Sequence, residues 1–211
     1  MVRVLVLNAG SSSLKASLVE QPGDRLIAAG ERKWGSDASR ASGRANDIAV
    51  LIGDVAVDAG AVEAVGYRVV HGGAHFVAPT LMDGAVLRGI RELDALAPLH
   101  NAVAADVIDA ATGLLPDRPH VACFDTAFHA TLPEASWRYP VPDDWRRERG
   151  IRRFGFHGLS VSWSVERAAL LLDRSATELQ VVVAHLGSGC SATAIAGGRS
   201  VATTMGMTPL E

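Results

Sequence analysis

Cysteine is scarce. The 211 residues hold only Cys123 and Cys190, too few for a disulfide framework or a four-ligand zinc site. Lysine is equally scarce: of 20 basic residues only Lys15 and Lys33 are lysines. No apolar run approaches the roughly 18 residues of a membrane span. The opening Met1-Val2-Arg3-Val4-Leu5-Val6-Leu7-Asn8 is too short for a signal peptide and has no small-residue cleavage site. These absences predict a cytoplasmic protein with no membrane partner. Positive charge is not in excess either. A net charge of −3 and a pI of about 6.2 argue against nucleic acid as the main partner. What remains is 48% hydrophobic and 20% charged, a composition that buries a core and excludes general disorder. The length allows one large domain or one and a half ordinary ones.

Val2–Leu7 is an apolar run ending at Asn8, and Ala9-Gly10-Ser11-Ser12-Ser13 is a small-residue turn. Leu14–Glu20 alternates, with Leu14, Ala16 and Leu18 on one side and Lys15 and Ser17 on the other, the period of a strand. A turn at Gln21–Asp24 leads to a third strand over Arg25–Trp34. The chain thus opens as an antiparallel meander. Gly35–Arg44 reads as a loop. Asn46 or Asp47 is placed to cap a helix carrying Ile48, Leu51, Ile52 and Val55 and ending near Gly60. Val62–Val70 reads as a buried strand. A helix capped by Asp83 runs toward Pro98, and another covers Ala102–Thr112. His120–Asp125 is a short strand, Leu159–Leu172 a helix and Gln180–His185 a buried strand.

The C-terminal part repeats the opening. Val181–Gly189 matches Val4–Ser12 as an apolar strand followed by a Gly/Ser turn. Each is followed by an alternating strand (Ala192–Ala196 in the later copy), a tight turn and a third strand (Ser200–Met205). This predicts a duplicated unit. Well over a hundred residues follow the first copy and can cover its sheet. After the second come only Thr208-Pro209-Leu210-Glu211. The expectation is one N-terminal domain over 1–148 and the incomplete start of a second over 149–211. Such a chain is half of a two-domain protein or needs a partner.

The Gly/Ser turns suit phosphate. Glycine lets backbone N–H groups approach an anion, serine hydroxyls add donors, and Lys15 adds a cation. The pattern is not a Walker A loop, because no second Gly-Lys-Ser/Thr follows. An ordinary hairpin of small residues fits the first turn equally well; two such turns, one per copy, favour a phosphate clamp. His71 and His75 are four apart, but Gly72 and Gly73 between them disfavour a helical metal pair. The arginine run 146, 147, 149, 152 and 153 is interleaved with Glu148 and reads as a solvated loop.

Asn8-Ala9-Gly10-Ser11-Ser12-Ser13-Leu14-Lys15 resembles the opening signature of acetate kinases. So do six further segments, in family order: Tyr67–Gly73, Pro98–Asn101, Phe124–His129, Arg152–Gly158, Ala184–Gly187 and Met205–Glu211. The resemblance implies an α/β chain of the acetate and sugar kinase/Hsc70/actin superfamily, a ribonuclease-H-like domain with the start of a duplicated second one. It implies ATP-dependent phosphorylation of a short carboxylate to an acyl phosphate, with Mg²⁺ as cofactor and ATP and the carboxylate as small-molecule partners.

The resemblance also assigns roles. Arg68 binds the carboxylate and the migrating phosphoryl group, Asp125 helps to hold Mg²⁺, and His157 stabilises the charge on the phosphoryl in transit; these three are the catalytic candidates. Asn8 joins Asp125 on the metal side. Ser11, Ser13 and Lys15, and in the second turn His185, Gly187, Ser188 and Gly189, lie on the phosphate and ATP side. Val70, Leu99 and Pro209 match the apolar wall for the acyl tail, and His100 a supporting residue near the carboxylate. Plain core packing explains Val70, Leu99 and Pro209 equally well, and Asp125 also fits as a helix cap.

The match departs from the family at Ser188, where asparagine is usual, at Leu159-Ser160-Val161, where the family reads Thr-Ser-His, and at Ala102-Val103. It also departs in length. The family chain is roughly twice as long, and the remainder would supply a second cleft arginine, a Mg²⁺-binding glutamate and the adenosine pocket. The expectation is a carboxylate kinase, weak or inactive as these residues alone. The competing readings are a non-catalytic interaction module, which could pair as a homodimer or with a complementing C-terminal half, and a propionate or butyrate kinase. A sugar or glycerol kinase is disfavoured by the segments around Arg68 and Asp125.

Overall fold

Strand β1 (Val2–Ala9), β2 (Ser13–Gln21) and β3 (Arg25–Lys33) form the expected antiparallel meander. The structure is a computed structural model and describes residues 1–10, 12–33, 41–56 and 62–209. Ser11 therefore lies outside the described residues, as does most of the expected loop after β3. The chain divides into two compact units, Met1–Val69 with Pro79–Cys123, and Val70–Ala78 with Phe124–Glu211.

The sheet of the first unit is ordered β3-β2-β1-β4-β6-β5, with β4 at Ala64–Val69, β5 at Thr80–Leu81 and β6 at His120–Phe124. β4 runs parallel to β1. Alternation puts Leu5, Leu7 and Ala9 on one face, paired across to Leu18, Ala16 and Leu14. All six are buried. Helices α1 (Ala41–Val55) and α3 (Asn101–Leu114) cover that face with Ile48, Leu51, Ile52, Val107 and Ile108. A fully buried leucine contributes about 2 kcal/mol before chain entropy is charged against it. α2 (Gly84–Glu92) starts where expected, because Asp83 accepts hydrogen bonds from the Ala85 and Val86 N–H groups, both at 2.8 Å.

Helix α1 begins at Ala41, not at an Asn46 or Asp47 cap. The apolar stripe starts only at Ile48, so periodicity reveals the helix about two turns late. The helix ends at Val55, and its expected end near Gly60 falls outside the described residues. The arginine run is not a loop throughout. After the short α4 (Glu134–Trp137), Asp143–Arg149 forms α5, with Asp143 and Asp144 in its first turn and arginines in its last. That polarity suits the helix dipole, but the segment has too few apolar residues to show a period.

In the second unit, α6 (Gly158–Leu172) packs on a sheet ordered β7-β8-β9, spanning Gln180–Leu186, Cys190–Ala196 and Arg199–Thr203. Val161 and Val165 of α6 pack with Ile195, Val181 and Val183. The opposite face is bare: Val182 is 72% and Leu186 81% exposed. The Val182–Ala194 pair is the counterpart of the buried Leu5–Leu18 pair in the repeated unit. β1 has β4 on its second edge, whereas among the described residues β7 pairs only with β8.

The compact units do not part at 148/149. Residues 124–148 belong with the second unit because they are tied to β9: His129 Nδ1 lies 2.9 Å from Ser200 Oγ, Thr131 donates to the Ser200 carbonyl and Ser136 to that of Val201. Val70–Ala78 belongs there too, because His71 Nε2 donates to the Met207 carbonyl at 3.1 Å. Among the described residues, no helix is long and apolar enough to cross a membrane.

Candidate functional site

In the first unit, register aligns three polar residues. Asn8 is directly opposite Lys15 on β2 and Arg68 on β4. Directly paired residues share a face, so a row of amine, amide and guanidinium crosses the sheet on the side away from α1 and α3. Arg68 Nη1 donates to Asn8 Oδ1 at 3.2 Å. The adjoining turn is closed by the Gly10 N–H donating to the Ser13 carbonyl at 2.8 Å. Ser13 Oγ donates to Glu31 at 2.8 Å, so an incoming phosphate has to compete with a carboxylate for it. His100 is the N-cap residue of α3, and Leu99 is 61% exposed.

The second unit gathers the other candidates around Phe154-Gly155-Phe156-His157-Gly158. The Gly158 N–H donates to the Asp125 carbonyl at 2.8 Å. A Cβ on Gly158 would lie 2.2 Å from that oxygen, so only glycine lets the two segments touch. His157 has a left-handed backbone (φ 61°) at the N-cap of α6. Its ring stacks on His185 with centroids 4.0 Å apart and planes 17° apart. Nδ1 of His157 is 2.9 Å from Ser191 Oγ, and Nδ1 of His185 is 3.0 Å from Ser160 Oγ. Their Nε2 edges face the Gly187–Gly189 turn: a Cβ on Gly189 would be 3.2 Å from His157 Nε2, and one on Gly187 3.6 Å from His185 Nε2. Thus His157, distant in sequence from His185, Gly187 and Gly189, meets them to set two imidazole edges beside a glycine turn. Ser188 is at its tip, with no side-chain hydrogen bond among the described residues.

Burial sets the remaining histidines. His71 is fully buried; its Nδ1 accepts from the Gly73 N–H at 2.9 Å while Nε2 donates to Met207. Burial holds it below the ordinary imidazole range, against the Met207 hydrogen bond. His129 is likewise held down by burial, opposed by its bond to the Phe156 carbonyl and by Asp125. Both are buried and held in place by hydrogen bonds to backbone carbonyls.

Val70 packs with Phe156 and Met205, all buried, and Pro209 is half-buried. The apolar reading of Val70 thus acquires a partner, Phe156, that sequence reasoning missed. Magnesium takes one or two carboxylates and completes its shell with water and phosphate oxygens. Asp125, a hard oxygen donor at the end of β6, fits that role. Asn8 fits less well, because its amide oxygen already accepts from Arg68. Among the described residues, no three His, Cys, Asp or Glu side chains converge on a metal-sized site. Sequence reasoning also missed Ser160 and Ser191, which hold the imidazoles. Extending the β8 alternation from Ala192 back by one residue would have placed Ser191 on the α6 face.

A family model described as the acetokinase family matches residues 47–211. The chain belongs to the acetokinase family. An acetate kinase of Deinococcus radiodurans is 45% identical over 227 residues, covering 98% of this chain and 56% of the relative. One from Pseudarthrobacter chlorophenolicus is 46% identical, with coverages of 99% and 57%. Among solved structures, Porphyromonas gingivalis acetate kinase superposes with a TM-score of 0.87 at 33% identity, covering 100% of this chain and 59% of that one. A propionate kinase from Francisella tularensis gives 0.87 at 34%, with the same coverages. The expected fold class holds for this acetokinase-family chain, which spans a little over half the length of the relatives it matches.

Proposed function

We propose that this chain carries phosphate- and carboxylate-handling residues of a carboxylate kinase that moves the γ-phosphoryl group of ATP to acetate or a close homologue, giving ADP and an acyl phosphate. The observation that carries the reading is the stacked His157–His185 pair beside the Gly187–Gly189 turn. Phosphoryl transfer needs aligned donors and positive charge more than covalent chemistry. Arg68, oriented by Asn8, forks onto the carboxylate and the phosphoryl oxygens. His157, held by Ser191, donates to the phosphoryl group in transit. Lys15, Ser11, Ser13 and the glycine turn bind phosphate, with His185 and Ser188 beside it. Val70, Leu99 and Pro209 bound the acyl tail, and His100 supports the carboxylate. Asp125 would hold Mg²⁺, which when bound neutralises phosphate charge.

Each missing charge at such a site costs on the order of 10²-fold in rate, so these 211 residues by themselves turn over slowly or not at all. A fusion of the chain to the remainder of the Deinococcus relative, assayed for acetate-dependent hydroxamate formation from ATP and Mg²⁺, tests the reading. Competition among acetate, propionate, butyrate and glycerol tests the acceptor class. The bare face at Val182 and Leu186 favours one second reading, an interaction module that pairs with a complementing segment or a second copy. The propionate kinase neighbour keeps propionate as an acceptor.

A further inference from the structure

Among the described residues, Arg152 is a cation with no carboxylate beside it. Its guanidinium carbon lies 4.9 Å from the centre of the Trp137 ring and 5.4 Å from that of Phe154. Its Nε donates to the Arg153 carbonyl at 3.3 Å. No carboxylate among the described residues lies within 4.0 Å of it, whereas Arg138 and Arg146 each meet one. Arg153 instead donates to the carbonyls of Thr204 and Met205, and Arg149 lies over Trp145. Burial of Arg152 depresses its basicity with no opposing charge.

Arg152 lines a cavity of about 60 Å³ together with Thr126, His129, Phe154, Val77 and Ala130. Thr126 is buried and accepts from the Gly72 N–H at 3.0 Å, but among the described residues its own hydroxyl proton has no acceptor. His129 cannot serve, since both its ring nitrogens are engaged, with Ser200 and Phe156. Two side chains with unused donors therefore line one small space. Cation–π contact recovers only part of a guanidinium's hydration, and a carboxylate meeting its fork recovers more. The cavity has room for a few heavy atoms, too few for a nucleotide or sugar. Val77, Ala130 and Phe154 supply an apolar wall. A phosphate dianion would bring more acceptors than two side chains satisfy and would lie against hydrocarbon.

We propose that this cavity binds a short-chain carboxylate, its oxygens on Arg152 and Thr126 and its alkyl end against Val77 and Ala130. It shares no residue with the proposed substrate wall of Val70, Leu99 and Pro209, so it is a second carboxylate site. Its occupancy is measured without turnover and stands or falls apart from the kinase reading.

The test is an NMR titration of the purified chain with sodium propionate, sodium phosphate and sodium chloride at constant ionic strength, read at the Trp137 indole N–H beneath the guanidinium. Propionate is expected to give a saturable shift at millimolar concentration that chloride does not. Arg152→Gln is expected to weaken it by about tenfold or more. Ala130→Leu, at an exposed rim position, fills the cavity and is expected to do the same without touching the cation–π contacts, which keeps the test decisive should Arg152→Gln fail to fold. Shifts no larger than with chloride, tighter binding of phosphate than of propionate, or undiminished binding in Ala130→Leu would each overturn the proposal.

Discussion

His157 and His185 stack face to face, 4.0 Å between ring centroids, each anchored at Nδ1 by a serine hydroxyl, Ser191 for one and Ser160 for the other. The stack fixes which ring edge meets the glycine turn. It holds the His157 side chain, on a left-handed backbone position, in one orientation.

Ser191→Ala removes the anchor of His157 without adding bulk. Measured in the fusion with the relative's remainder, kcat is expected to fall roughly tenfold to a hundredfold with KM for acetate little changed. Ser191→Thr, which keeps a hydroxyl, is expected to recover part of the loss. A change confined to KM would mean that Ser191 serves binding rather than orientation.

Gly158→Ala places a methyl group 2.2 Å from a backbone oxygen, that of Asp125. Neither partner is the end of a flexible side chain, so the segments must separate. The expected loss is about 3 kcal/mol or more, seen as a lower urea midpoint. Gly53→Ala, where an added Cβ meets nothing within 4 Å, is expected to be neutral or slightly stabilising by helix propensity. Equal midpoints for the two variants would contradict the packing account.

Stability should fall with acid in a defined window. His71 and His129 are held below the ordinary value near 6.5 by burial. The unfolded chain therefore takes up protons first, and their contribution is complete above about pH 6.5 and lost as the pH falls toward their folded values. Protonating His71 also breaks the hydrogen bond it accepts from Gly73. Urea midpoints between about pH 8 and pH 5 are expected to be flat and then to fall, and His71→Asn should flatten the fall. A midpoint that rises on acidification would contradict the assignment.

The bare face of the second sheet makes a separate prediction. Val182→Lys with Leu186→Lys is expected to reduce self-association in sedimentation while leaving the melting temperature within about 2 °C, because both side chains are already exposed. Leu5→Lys, at the matching position of the first sheet and fully buried, is expected to prevent folding. Unchanged association in the double variant would remove the support for a docking face.

Period-two alternation made β2 and β8 legible, and continuous apolar runs did the same for β1 and β7. The Asp83 cap was legible because its chemistry is local. Helix α5 was not, because a seven-residue helix of Asp, Trp, Arg and Glu has no stripe to read. Phe154-Gly155-Phe156-His157-Gly158 stood out as a motif, but the reasons for its glycines lie elsewhere in the chain. Thr203 and His129 crowd Gly155, and Asp125 crowds Gly158. The anchoring serines stayed hidden for the same reason: Ser191 is 34 residues from His157 and Ser160 is 25 from His185. The grouping of Val70–Ala78 with the second unit has no local signal, because it rests on His71, whose partner Met207 is 136 residues away.

The most direct measurement is acetyl-hydroxamate formation from ATP, Mg²⁺ and acetate by the fusion of this chain to the remainder of the Deinococcus relative, with Arg68→Ala and His157→Ala introduced into this chain's residues. Acetate-dependent turnover is expected in the fusion, with a loss of on the order of 10²-fold or more in each variant and little turnover by the 211 residues alone. An inactive fusion that is folded, or variants that turn over like the parent, would contradict the kinase reading.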